Sequence, residues 1–317
     1  MSTLETKPKV SARRNKKHRR NLLETPETID WVIGIIMLLV IIVTLYPFLN
    51  VLALSLNDSV DASRGGIHIW PRKFTFDNYI QIWEANKNLL TAFRNSVLRT
   101  VIGTAAGVFC CAVFAYVISR RELVFRRGIT IMLVITMYVS GGLIPGFILI
   151  REIGLYNNFL VYIIPMLLSA FNVIVIRSFI DALPAELDES ARLDGAGHFR
   201  IFWQIVLPLA VPAIATIALF LAVGQWNSWF DTYIYVKPTN YDLTTLQFEL
   251  QKILSSAQST ANSGVYDPVA LEQMANKTSP QSIKMAITII ATVPILMVYP
   301  FVQKYFVSGL TLGAVKN

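Results

Sequence analysis

Long runs without a single Asp, Glu, Lys or Arg recur along the chain, separated by short polar stretches. Six are long and apolar enough to cross a bilayer, whose hydrocarbon core of about 30 Å needs about 20 helical residues. They cover residues 31–57, 100–119, 128–150, 153–176, 201–230 and 285–303. Leu, Ile, Val and Phe dominate each run, and charged or aromatic residues of the kind that settle at the lipid interface close them. Lipid offers no hydrogen bonds to the backbone, so such runs fold as helices. The pattern predicts an all-α membrane protein with six transmembrane helices.

Glycine and proline interrupt the runs: Gly141, Gly142 and Pro145 in the third, Pro165 in the fourth, Pro208 and Pro212 in the fifth, Pro294 and Pro300 in the sixth. Backbone groups freed at membrane depth are tolerated only where protein or a water-lined cavity re-satisfies them. The interrupted spans therefore suit a packed bundle around a pathway, although the ordinary abundance of Gly and Pro in membrane helices accounts for any one of them alone. The first run, at 27 uncharged residues, far exceeds a signal-peptide core of about 7–15, so it reads as a retained anchor.

Composition agrees with the pattern. Of 317 residues, 54% are apolar and 15% charged, against roughly 25% charged in soluble domains, and mean hydropathy is +0.52. The net charge of +8 is unevenly placed, with eight of the 28 Lys and Arg in the first twenty residues. An even span count puts both termini on one side. That side carries 17 of the basic residues against 11 on the other, so the positive-inside rule places both ends in the cytoplasm. Three parts follow: a basic cytoplasmic arm at 1–27, a six-helix domain at 28–306, and a cytoplasmic tail at 307–317. Between spans four and five lies a cytoplasmic loop at 181–208, and between five and six an extracytoplasmic loop at 231–284.

Candidate chemistry narrows the function classes. Cys110 and Cys111 are adjacent in an apolar stretch, where they can neither close a disulfide loop nor complete a metal site. His18, His68 and His198 lie outside the runs, and neither H-E-x-x-H nor G-x-S-x-G occurs. Without a G-x-x-x-x-G-K-[ST] loop the chain lacks the usual phosphate cradle, so ATP hydrolysis falls to a partner; no cofactor, metal or nucleic acid is expected. The central parts of the runs carry no charge and offer only mild polar groups, among them Ser140 and Thr136. Ion-coupled carriers place charges there, so an uncharged or polyhydroxylated solute driven by an external energy source fits better. Carbohydrates are held by aromatic faces with amides and hydroxyls, which makes Tyr138, Asn172, Gln225, Trp226 and Asn227 the substrate-path candidates. Trp226 and Trp229 also suit interfacial anchoring.

The loop at 181–208 is the most informative segment. Pro184 suits a helix's first turn, Glu186, Asp188 and Glu189 favour its positive end, Arg192 sits late, and Gly195 can end it. A short exposed helix follows, and Leu187, Ser190 and Ala191 give it the small apolar knob of a docking element. Glu189-Ser190-Ala191, Gly195 after three further residues, and Ile205-Val206-Leu207-Pro208 after nine more resemble the EAA motif of ABC importer permeases. The departure is Ser190, where an alanine usually stands; serine is small enough to keep the close approach.

Other segments resemble the same family. Val223 to Asp231, with Trp226-Asn227-Ser228-Trp229, is similar to a stretch of carbohydrate permeases, and Tyr305 to Lys316 to the tail of the maltose-permease type. Ser140-Gly141-Gly142-Leu143-Ile144-Pro145 resembles the LplC/YtcP-like subgroup associated with complex oligosaccharides. The likeness covers essentially residues 28–316.

The resemblance implies the type I importer (MetI-like) permease fold. It implies a path shared with a second, different permease subunit, two ATP-binding subunits below, an extracytoplasmic solute-binding protein, and an oligosaccharide substrate. It assigns ATPase coupling to Glu186, Glu189, Ser190, Ala191, Asp194 and Gly195. It also directs the 231–284 loop, with Tyr233, Tyr235, Tyr241 and Gln247, toward the binding protein. An importer for another solute and a non-transporting membrane scaffold are the alternatives. The sugar-type segments speak against the first, and the docking helix beneath a breaker-rich bundle against the second.

Overall fold

The computed structural model describes residues 28–85, 87–262 and 280–314. The predicted basic arm 1–27, part of the predicted outer loop (263–279) and the last three residues lie outside the described residues. Among those described, every regular element is helical, apart from one isolated antiparallel bridge between Asn57 and Phe74.

Three helices are each long and apolar enough to cross a membrane: α1 (Thr28–Ser55), α4 (Leu89–Ser119) and, through its stretch Gln281–Val298, a C-terminal helix (Pro280–Ala314). Three further crossings are bent pairs. α5 (Arg126–Tyr138) and α6 (Leu143–Glu152) meet at 118°, the 3₁₀ turns over 159–166 meet α7 (Ala170–Asp181) at 46°, and residues 198–209 meet α11 (Val211–Asn227) at 79°. Counting each pair once gives the predicted six. The breaks fall where the sequence carries its interruptions, at Gly141 and Gly142 (φ +87°), before Pro212 and around Pro165. Pro294 and Pro300, by contrast, sit inside one continuous helix, which also carries the predicted tail on to Ala314.

Between the crossings lie α2 (Ser59–Ser63), α3 (Asp77–Ala85) and α8 (Ala185–Leu193), and α9 (His198–Ile201) opens the fifth crossing. A π-helical turn over Phe202–Val206 leads from α9 into α10 (Leu207–Leu209). After α11 come α12 (Phe230–Tyr235), α13 (Leu246–Asn262) and α14, the Pro280–Ala314 helix. The segment predicted as a long polar loop is thus largely helical up to Asn262. The reason is α13, whose Leu246 and Leu250 are buried with Trp226, Ala286 and Ile287 in a core shared with α14.

α4 is the axis of the bundle. Gly103, Gly107, Cys111 and Ala115 recur every four residues on its buried face, the small-residue spacing that brings membrane helices close. A Cβ added at Gly103 would stand 2.6 Å from Gln225 Nε2, and one at Gly107 3.1 Å from Leu221 Cδ1. α11 and α7 pack here, with Val173, Ile176, Ile217 and Leu221 buried against α4. α1 contrasts sharply: its large apolar residues from Ile29 to Phe48 are exposed along the whole length, as suits a helix that faces lipid or another membrane chain.

The second crossing begins at Leu89, eleven residues before the uncharged run does, and so takes in Arg99 with its side chain wholly buried. The run 100–119 is itself uncharged, and the helix extends past it on the N-terminal side. A buried cation is affordable only when paired and hydrogen-bonded, and Asp231, 132 residues away, supplies the pair.

Candidate functional site

α8 is a short helix presented at the end of the bundle. Pro184 precedes it in extended conformation, Glu186 and Asp188 lie in its first turn, and Arg192 lies in its last, each placed to suit the helix dipole. Asp194 caps the end and Gly195 follows at φ +81°. The Gly195 N–H donates to the Arg192 carbonyl (3.0 Å) and the Ala196 N–H to the Ala191 carbonyl (2.9 Å), the paired bonds of a Schellman ending. A Cβ at Gly195 would meet nothing within 4 Å; the left-handed backbone alone asks for glycine there.

One face of α8 joins the core. Ala191 is buried against the cluster that includes Tyr116, Ile118, Ile180, Ile201 and Phe202. The other face is open: Glu186, Glu189, Ser190, Asp194 and Gly195 are all exposed. Leu193 is 89% exposed and nearby Phe199 78%, so two large apolar groups stand uncovered beside the acidic face.

Charges fasten the buried side. Asp188 accepts from Arg120 at 2.6 Å and pairs with Arg192 at 3.1 Å. Arg192 also bonds Glu122, whose second oxygen lies 3.6 Å from His198 Nε2. The hydrogen bond from Arg192 holds the Glu122 carboxyl below its usual range, with burial opposing it, and the same bond raises Arg192. The Arg120 guanidinium lies 4.1 Å over the Tyr116 ring, and the Tyr116 hydroxyl donates to the His198 carbonyl at 3.0 Å. Beside this web opens a cleft of about 460 Å³, lined by Arg120, Arg126, Asp181, Pro184, Asp188 and Ile205 among others. α8 is therefore held rigidly on one side and free to meet a partner on the other.

The substrate-path candidates do not share one surface. Tyr138 closes α5 at the 118° break and is 83% exposed. Asn172 is buried in the first turn of α7, where its backbone N–H reaches the Ser169 hydroxyl at 3.5 Å. Gln225 is buried, donating to the Tyr162 carbonyl at 2.9 Å and accepting from Arg99 Nε at 3.0 Å. Trp226 donates to the Ala291 carbonyl at 3.1 Å and meets Phe93 edge-on. Asn227 is exposed and accepts from Gln247 Nε2 at 3.1 Å. Gln225 and Trp226 spend their polar groups inside the bundle, while Tyr138 and Asn227 face outward.

Of the loop residues, Tyr235 stacks on Phe147 with centroids 6.2 Å apart, whereas Tyr233 and Tyr241 are exposed. Sequence reasoning passed over Arg99, Asp231, Arg120, Glu122 and the pairing role of Asp188. Only the Asp188–Arg192 spacing of four was a local signal; the other partners lie tens of residues apart.

Comparison with known proteins agrees with this architecture. Residues 89–312 match the family described as the binding-protein-dependent transport system inner membrane component. Protein LplC of Bacillus subtilis is 36% identical over 276 residues, covering 87% of this chain and 90% of that one. The polygalacturonan/rhamnogalacturonan transport system permease protein YtcP of the same organism is 35% identical over 294 residues, covering 91% and 98%. Among solved structures, a chain of a bacterial ABC transporter involved in the import of the acidic polysaccharide alginate is 28% identical. It superposes with a TM-score of 0.75 over 89% of this chain and 99% of that one. With a short exposed helix, α8, tied to a bundle of broken crossings and a family match spanning most of its length, the chain belongs to the binding-protein-dependent inner-membrane transport components, the permease subunits of ABC importers.

Proposed function

We propose that this chain forms, with a second and different permease subunit, the translocation path of an ATP-driven importer for oligosaccharides derived from complex polysaccharides. Two ATP-binding subunits engage α8 from the cytoplasm and a solute-binding protein delivers the sugar from outside. Both termini are cytoplasmic, on the positive-inside count. The observation that carries the coupling part is the two-sided character of α8. Its buried side is clamped by Ala191 and the Asp188 ion pairs, and its open side offers Glu186, Glu189, Ser190, Asp194 and Gly195 to a partner. A partner's motion can shift an equilibrium only through contacts that differ between states, and a rigid, exposed helix supplies them.

For the sugar, support comes from the likeness to YtcP over nearly the whole chain and from the uncharged, amide- and ring-bearing residues at the breaks. Tyr138 and Asn227, exposed in the single chain, are the contacts assigned to the solute. Asn172, Gln225 and Trp226 are buried and support the bundle from within.

The test is ATP hydrolysis by the complete complex in lipid. It is measured with a solute-binding protein loaded in turn with oligogalacturonides, rhamnogalacturonan fragments, arabino-oligosaccharides and alginate oligomers. Stimulation by one class is expected. An assembled complex that no sugar stimulates contradicts the carbohydrate reading and leaves the importer reading standing.

A further inference from the structure

Arg99 on α4 and Arg120, the extended residue that caps its C-terminus, stand 21 positions apart in matching settings. At 1.5 Å per residue they are separated by about 31 Å, the thickness of the hydrocarbon core. Arg99 forks both terminal nitrogens onto the Asp231 carboxylate, donates to the Ser228 carbonyl at 3.2 Å and lies 4.4 Å over the Tyr162 ring. Arg120 bonds Asp188 and lies over the Tyr116 ring. Ser228 and Asp231 frame the break between α11 and α12, whereas Asp188 belongs to α8. A planar guanidinium held by a carboxylate at its edge and an aromatic ring at its face is fixed in both translation and tilt.

Other routes out of α8 are interrupted. α7 gives way to 3₁₀ turns, and the path through α9 passes the π-helical turn and a 79° bend before α11. From Arg99 to its C-terminal cap at Arg120, α4 has neither proline nor break. We propose that Arg99 and Arg120 are positioning residues that make α4 a strut, carrying displacement of α8 across the bilayer to the α11–α12 break. This rests on the reading of α8 as the ATPase contact.

The experiment uses the complete complex in lipid vesicles, with Cys110 and Cys111 replaced by alanine and Tyr233, exposed on α12, replaced by cysteine. The rate at which a membrane-impermeant maleimide labels that cysteine is compared without nucleotide and after trapping with ATP and vanadate. In this parent a several-fold change is expected. Arg120→Gln and Arg99→Lys should abolish it while ATP hydrolysis continues. Should Arg99→Lys prevent assembly, Gln225→Leu loosens the same clamp more gently. A response that survives in Arg120→Gln and in the Arg99 or Gln225 variant overturns the proposal, as does a parent with no response. Glu189→Lys separates the two readings: if it too leaves the response intact, the α8 assignment itself falls.

Discussion

Gly195 and Gly103 need glycine for different reasons. At Gly195 there is open space around the missing Cβ and the constraint is the backbone, at φ +81°. A β-branched side chain there costs about 1–2 kcal/mol, whereas asparagine tolerates the left-handed region. Gly195→Val should therefore impair coupling and Gly195→Asn should retain most of it; equal loss in both would move the requirement from backbone to surface contact. At Gly103 the backbone is ordinary helix and the constraint is distance, because Gln225, 2.6 Å from the absent Cβ, is tied to both Arg99 and Tyr162. Arg99 itself illustrates what a sequence conceals. It sits one residue before an uncharged run and reads as an interfacial flank, yet its partner lies 132 positions later, with nothing local to join them.

At the scale of elements, α8 was largely legible, although Pro184, expected in its first turn, stands just before it at the N-cap. Proline before it, acids in its first turn and glycine after it are all local signals, and the structure places the helix at Ala185–Leu193. The breaks at Gly142 and before Pro212 were equally open to reading. The bend angles were not, since 118° and 79° are set by what the half-helices pack on. Nor was α13, whose apolar residues pay off only against α14. The ties holding α8 have a definite pH behaviour. Glu122 has its carboxyl pKa lowered, so the tie it makes is complete above its unfolded value and is lost as pH falls through the lowered folded one. In a His198→Gln background, which removes the other titratable neighbour of Glu122, sugar-stimulated ATP hydrolysis relative to the basal rate should stay flat between about pH 6 and 8. A step within that window that disappears in Glu122→Gln would contradict the assignment.

The whole molecule is a bundle built around one long unbroken helix. α4 runs unbroken through the centre, the bent crossings surround it, and α1 lies on the outside with its apolar surface uncovered. Apolar runs with only mild polarity, the exposed face of α8 and the family match converge on a subunit that moves solute by borrowed ATP energy. The most direct test compares the complete complex with its Glu189→Lys variant in lipid vesicles, measuring sugar uptake and ATP hydrolysis together. The account predicts that Glu189→Lys inserts and assembles with at least a tenfold loss of uptake per ATP hydrolysed, about 1.4 kcal/mol of lost coupling. Uptake per ATP equal to that of the unsubstituted complex would contradict it.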